Sequence, residues 1–278
     1  MQSPQLKMVR RIAMVIAGIV SLSAVTARAD YRDDRRIMAE VDSRPLVGDC
    51  ELVEVRTAAG SLTPDQIDQF ATLANKGAAD VARFVGVERP RRRIVIYLSP
   101  HVDISHTYTA SSRHESRMFI DSRRVADHDA PYLHELVHAV VGDGGAMWLE
   151  EGFASWVASS VATTYGGYYA PVLSAPNDRV DAQARGVVER ARGTDEPNTW
   201  FTADDPQLAS QHERRNFYIV SHSFTKFLAT SLGTKQLVTI FRADDPSALP
   251  RISGVSIDTW RQRWMTKLGE GAVAASGK

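Results

Sequence analysis

Apolar residues set out along this chain in two rhythms predict a mixed architecture. Glu51 to Arg56 alternate apolar and polar, the signature of a half-buried strand. Thr63, Pro64 and Gln66 then form a capping box that opens a helix. Ile67, Phe70, Leu73, Ala74, Ala78, Val81, Phe84 and Val85 continue it at helical spacing, so the helix spans about Pro64 to Val85. The unbroken run Arg93 to Leu98, bounded by Pro90 and Pro100, predicts a central strand. His101 to Glu115 is polar and reads as a loop, and Met118-Phe119-Ile120, between Arg117 and Asp121, as an exposed edge strand. With Asp129 as N-cap and Pro131 in the first turn, a helix carries Leu133, Leu136, Val137, Val140 and Val141 up to the stop Gly142-Asp143-Gly144-Gly145.

A second helix follows from about Ala146 to Thr163, with Leu149, Phe153, Trp156, Val157 and Val161 at core spacing. Tyr165 to Pro171 reads as a loop between lobes. A weaker helical pattern covers Arg179 to Ala191; Phe217, Val220, Phe224 and Leu228 mark a helix that ends at Gly233, Leu237 to Phe241 mark another, and Trp260, Trp264 and Leu268 a third. Asp30 to Arg44 is highly charged without a sustained apolar period, and Gly269 to Lys278 is small and polar. Both are expected to be poorly ordered ends of the folded part. The expected class is α+β: a leader over 1–29, an α/β lobe over 30–164 with a small mixed sheet, and a mainly helical lobe over 165–278.

Composition adds a soluble globular character, with 44% hydrophobic and 24% charged residues in 278. The first 29 residues stand apart. Lys7, Arg10 and Arg11 precede an apolar run from Ile12 to Val25, and Ala27-Arg28-Ala29 has the form of a cleavage site, which predicts a secretory signal peptide. The run is shorter than the roughly 20 residues a membrane span needs, so no stable insertion is expected after cleavage. Without Lys7, Arg10, Arg11 and Arg28, 29 basic residues face 33 acidic ones, a net charge of −4 that argues against nucleic acid as the partner. Cys50 is the one cysteine and cannot form an internal disulfide; a small buried hydrophobe is its expected role.

The candidate chemistry sits in His134-Glu135-Leu136-Val137-His138. Residues four apart share a helix face, so His134 and His138 can hold one metal ion while Glu135 serves as general base toward a metal-bound water. Zinc suits two imidazoles and a carboxylate, and its catalytic sites usually take three protein ligands, which leaves Glu150 or Glu151 to supply the third. Tyr218 and His222, four apart in the helical lobe, are candidate donors to a developing oxyanion. His101, His106 and His114 lack the spacing of a ligand pair.

HELVH followed by WLEEGFASW resembles the gluzincin zinc metallopeptidases over about His134 to Trp156. The resemblance implies a zincin-like lobe, a peptide or protein substrate, zinc as cofactor, and the glutamate directly before glycine, Glu151, as third ligand. Glu150 would then stand behind the ligands or face solvent. It also implies an edge strand beside the active-site helix that holds extended substrate, the role expected of Met118-Phe119-Ile120. Twelve residues separate His138 from Glu151, fewer than in thermolysin-like or aminopeptidase members, and no G-A-M-E-N-like segment is present. A metzincin is excluded because Gly144 stands where its third histidine would be. The expected activity is an exported zinc metallopeptidase; the alternative is a non-catalytic protein of this fold that binds peptide or a cell-envelope component.

Overall fold

The computed structural model describes residues 33–42, 48–88, 90, 93–108, 115–142, 144–162, 176–192, 200–201 and 211–276. The leader, His114, the Tyr165–Pro171 loop and the boundary expected at 164/165 lie outside them. Met1–Pro45 and Leu46–Lys278 are separate compact units. In the first, residues 33–42 form a helix, α1, where a poorly ordered segment was expected. The acidic pair Asp33 and Asp34 suits a helix N-terminus, and Ile37 and Val41 lie one turn apart.

The second unit opens with a five-stranded mixed sheet. Its strands are β1 (Gly48–Asp49), β2 (Val53–Thr57), β3 (Arg93–Ser99), β4 (His106–Tyr108) and β5 (Glu115–Asp121), in the order β1-β2-β3-β5-β4. β2, β3 and β5 run parallel, and β1 and β4 pair antiparallel at the two ends. The helix α2 (Pro64–Phe84) connects β2 to β3, and its capping box is formed as expected: Gln66 N–H donates to Thr63 Oγ1 and Thr63 N–H to Gln66 Oε1. The short α3 (Ser122–Ala126) follows β5.

Met118-Phe119-Ile120 is not the edge. Phe119 and its two neighbours are fully buried in β5, between β3 and β4, because a strand with partners on both sides needs apolar residues on both faces. The edge strand is β4, His-Thr-Tyr, inside the stretch expected to be a loop. On one face Ile94, Ile96, Leu98, Met118 and Ile120 join Val53 and Val55 in the core beneath the helices. On the other, Tyr97, Phe119 and His106 stack ring on ring across β3, β5 and β4, with centroids 5.2 and 5.0 Å apart.

Two helices carry the motif. α4 (Tyr132–Val141) packs on α2 and the sheet, and ends at Gly142, whose φ of 92° is open to glycine and strained for other residues. Asp129 does not cap it. Its carboxylate takes Arg124 instead, at 3.0 Å, and Pro131 occupies the cap position without a side-chain bond. α5 (Met147–Ala162) lies against α4, and its residues Trp148, Leu149, Phe153, Trp156, Val157 and Val161 are buried.

Among the described residues the remaining helices are α6 (Val180–Arg190), α7 (Gln211–Leu232), α8 (Thr234–Arg242), α9 (Ala248–Ser253) and α10 (Ile257–Ser276). α7 covers α5, and α6 and α10 cover α7, so one apolar core runs from the sheet into the helical half. α10 continues to Ser276, past the point where fraying was expected. The class is thus α+β, a small mixed sheet followed by helices. Cys50 is half-buried against the core as a free thiol. Among the described residues no helix is long and apolar enough to cross a membrane.

Candidate metal centre

α4 presents His134 and His138 on one face, with ring centroids 5.0 Å apart and their Nε2 atoms 3.2 Å apart. Glu151 reaches them from α5. Its Oε2 lies 3.0 Å from His134 Nε2 and 3.8 Å from His138 Nε2. Ligands held about 2.0–2.2 Å from one ion at tetrahedral angles stand about 3.3–3.6 Å from one another. The three measured separations straddle that range, so shifts of a few tenths of an ångström would let the donor set hold a single small divalent ion. The choice between the two acidic residues also follows from position. Glu151 meets both Nε2 atoms, whereas Glu150 Oε1 lies 3.6 Å from Nδ1 of His138, behind the ring.

Opposed charges explain the electrostatics. Burial pushes the His134 imidazole down, but the hydrogen bond with Glu151 and the nearby charges of Glu151, Glu135 and Glu150 outweigh it, and the pKa is raised. Burial likewise pushes Glu151 up, while His134, His138 and a hydrogen bond from Tyr218 bring it below the usual value. The two shifts have one cause, the attraction between the His134 ring and the Glu151 carboxylate. Ser155 Oγ lies 3.4 Å from the other nitrogen of His134, Nδ1, and steadies that ring from α5.

Tyr218 comes from α7, its ring centroid 6.1 Å from that of His134. Burial, then the Glu151 and Glu135 charges, hold its pKa well above the ordinary value. It stays protonated and donates to Glu151. A close helix contact puts it there: a Cβ on Gly152 would stand 2.3 Å from the carbonyl oxygen of Ser221, so only glycine lets α5 and α7 approach this far.

Glu135 is buried in the first turn of α4, where the helix dipole favours a carboxylate. Thr107 of β4 donates to its Oε2 at 2.8 Å, with Glu135 O at 3.2 Å from the same hydroxyl. Sequence spacing gave no sign of this contact, because 28 residues separate the partners.

His222 is placed elsewhere. It is fully buried, and its Nε2 lies 2.7 Å from Asn177 Oδ1. Burial, then the positive Lys226 and His134, lower its pKa to about 3, so it is neutral. Asn177 also binds Ser159 and Ser160, and Lys226 joins Asn177 O and Asp181, which ties α5, α6 and α7 together. His106 stacks on Phe119 and His101 is exposed on a turn, both outside the metal cluster. No model of a known protein family matches the chain, and no curated protein does.

Proposed function

We propose that this chain is an exported, zinc-dependent metallopeptidase of gluzincin type that hydrolyses peptide bonds. The observation that carries the reading is the meeting of His134 Nε2, His138 Nε2 and Glu151 Oε2 within ligand distance of one another, with the Glu135 carboxylate on the same helix. Export rests on the basic, apolar and small-residue pattern of residues 1–29. Two imidazoles and one carboxylate leave a fourth position open, as catalytic zinc requires. Zinc held there supplies Lewis acidity, which brings the pKa of water to about 7 and polarises a carbonyl.

The protein's own groups do the rest. Glu135 takes a proton from the attacking water and returns it to the amine nitrogen as the peptide C–N bond breaks. Tyr218, protonated at neutral pH and hydrogen-bonded to Glu151, turns its hydroxyl from that carboxylate to the carbonyl oxygen as negative charge develops there. β4, at the end of the strand order, pairs only with β5 among the described residues and offers its outer edge to an extended peptide, the role first expected of Met118–Ile120.

Purified protein incubated with a mixed peptide library, with and without a chelator, tests the reading by mass spectrometry. Zinc-dependent cleavage is expected, and Glu135→Gln should keep one zinc per chain while losing hydrolysis. Protein that takes up no stoichiometric zinc from metal-replete buffer would overturn the proposal. Zinc and peptide binding without cleavage would point to the non-catalytic alternative.

A further inference from the structure

Thr107 stands at the middle of β4, opposite Met118, on the strand at the sheet's end. A hydroxyl has one proton to donate, and both acceptors within reach of this one belong to Glu135. The carboxylate oxygen, at 2.8 Å, is the closer and the more strongly attracting because it is charged. Glutamate has three rotatable side-chain bonds and loses much rotamer freedom when ordered. Threonine is stiff at χ1. A stiff donor on a sheet strand therefore restrains a flexible acceptor on a helix. One carboxylate oxygen is engaged and the other is left for proton transfer.

We infer that Thr107 is a positioning residue for Glu135: its hydroxyl fixes the carboxylate in the attitude from which it exchanges a proton with the attacking water. The inference rests on the metallopeptidase reading and deepens it. Because the same three-residue strand offers its edge to substrate, peptide docking along β4 and placement of the base depend on one element. A peptide that shifts β4 shifts the base with it.

The full chain carrying Thr107→Val, which keeps the side-chain shape without the hydroxyl, is compared with Thr107→Ser, which keeps the hydroxyl. Thr107→Val should lose about 10- to 100-fold in kcat, with KM nearly unchanged and zinc retained, and Thr107→Ser should recover most of the rate. A Thr107→Val enzyme with wild-type kcat overturns the inference. So does a loss shared equally by both variants and expressed in KM, which would make the residue a strand tether alone. A second arm needs no turnover. In crystals of zinc-loaded Thr107→Val, or of Thr107→Ala should the valine variant not fold, the Glu135 carboxylate should leave its place while His134, His138 and Glu151 keep theirs. A carboxylate that stays put refutes the inference. Zinc-loaded wild-type protein that cleaves nothing refutes the metallopeptidase reading instead, and the crystals still decide whether Thr107 sets the carboxylate.

Discussion

Replacing Gly152 by alanine sets two effects of opposite sign against each other. Alanine in a helix interior is favoured over glycine by about 0.5–1 kcal/mol. Against this, the new methyl would lie 2.3 Å from Ser221 O and 2.4 Å from Thr225 Oγ1, more than 1 Å inside an ordinary contact of about 3.5 Å. The Ser221 carbonyl is part of the α7 backbone and cannot rotate away, so α7 must lift from α5. Overpacking of this kind costs about 1–3 kcal/mol, which after the helix gain leaves a net loss of up to about 2.5 kcal/mol. In a domain of this size that lowers Tm by up to roughly 10 °C. Gly186 in α6 is the control: its Cβ would meet only the tip of Arg190, at 3.3 Å, so Gly186→Ala should raise Tm by about 1–4 °C. Differential scanning calorimetry on the two variants and the parent reads both shifts. If Gly152→Ala were as stable as Gly186→Ala, helix propensity alone would govern the site and the close contact of α5 with α7 would be refuted. The lifted helix also draws Tyr218 from Glu151, so zinc titration of Gly152→Ala should show weakened affinity.

The two acidic neighbours should separate by metal titration: Glu151→Gln loses a ligand and stoichiometric zinc, whereas Glu150→Gln keeps the ion with affinity reduced by no more than about 10- to 100-fold. The reverse order would exchange their roles. His222 predicts an acid limb of stability. Its folded pKa of about 3 lies below the 6.5 of a free imidazole, so below pH 6.5 the unfolded chain binds a proton the native state refuses. Stability is full above that pH and falls by about 1.4 kcal/mol per pH unit as the pH drops toward 3, where the loss levels off. Urea titrations from pH 7 to 4 should show this limb in the parent and a shallower one in His222→Gln, which does not titrate; parallel curves would refute the assignment.

The capping box and apolar stripe of α2 lie within one continuous stretch, as do the two histidines of α4, so local spacing announced both. β4 announced nothing: three residues at a sheet end alternate too briefly to be told from a loop, and their polar character reflects the open edge. The shortness of Met118-Phe119-Ile120 suggested an edge, yet three consecutive buried side chains belong to a strand flanked on both sides. The candidate ligand histidines were legible from the one-turn repeat, whereas Thr107 and Asn177 act on partners 28 and 45 residues away, and no periodicity encodes such pairs. Tyr218 and His222 looked alike on one helix. What distinguishes them is what faces each: Glu151 for the first, Asn177 for the second.

The order in which the parts of the centre leave the ribosome has a consequence for assembly. His134, His138 and Glu151 are all made before α7, the helix that covers α5 and brings Tyr218 to the cluster. A nascent chain that stops short of residue 211 holds all three candidate ligands, yet Trp148 of α5 lacks Phe224, the α7 ring whose centroid lies 5.3 Å from its own. A truncated product therefore carries the motif without the helix that packs on α5 and brings Tyr218 to Glu151.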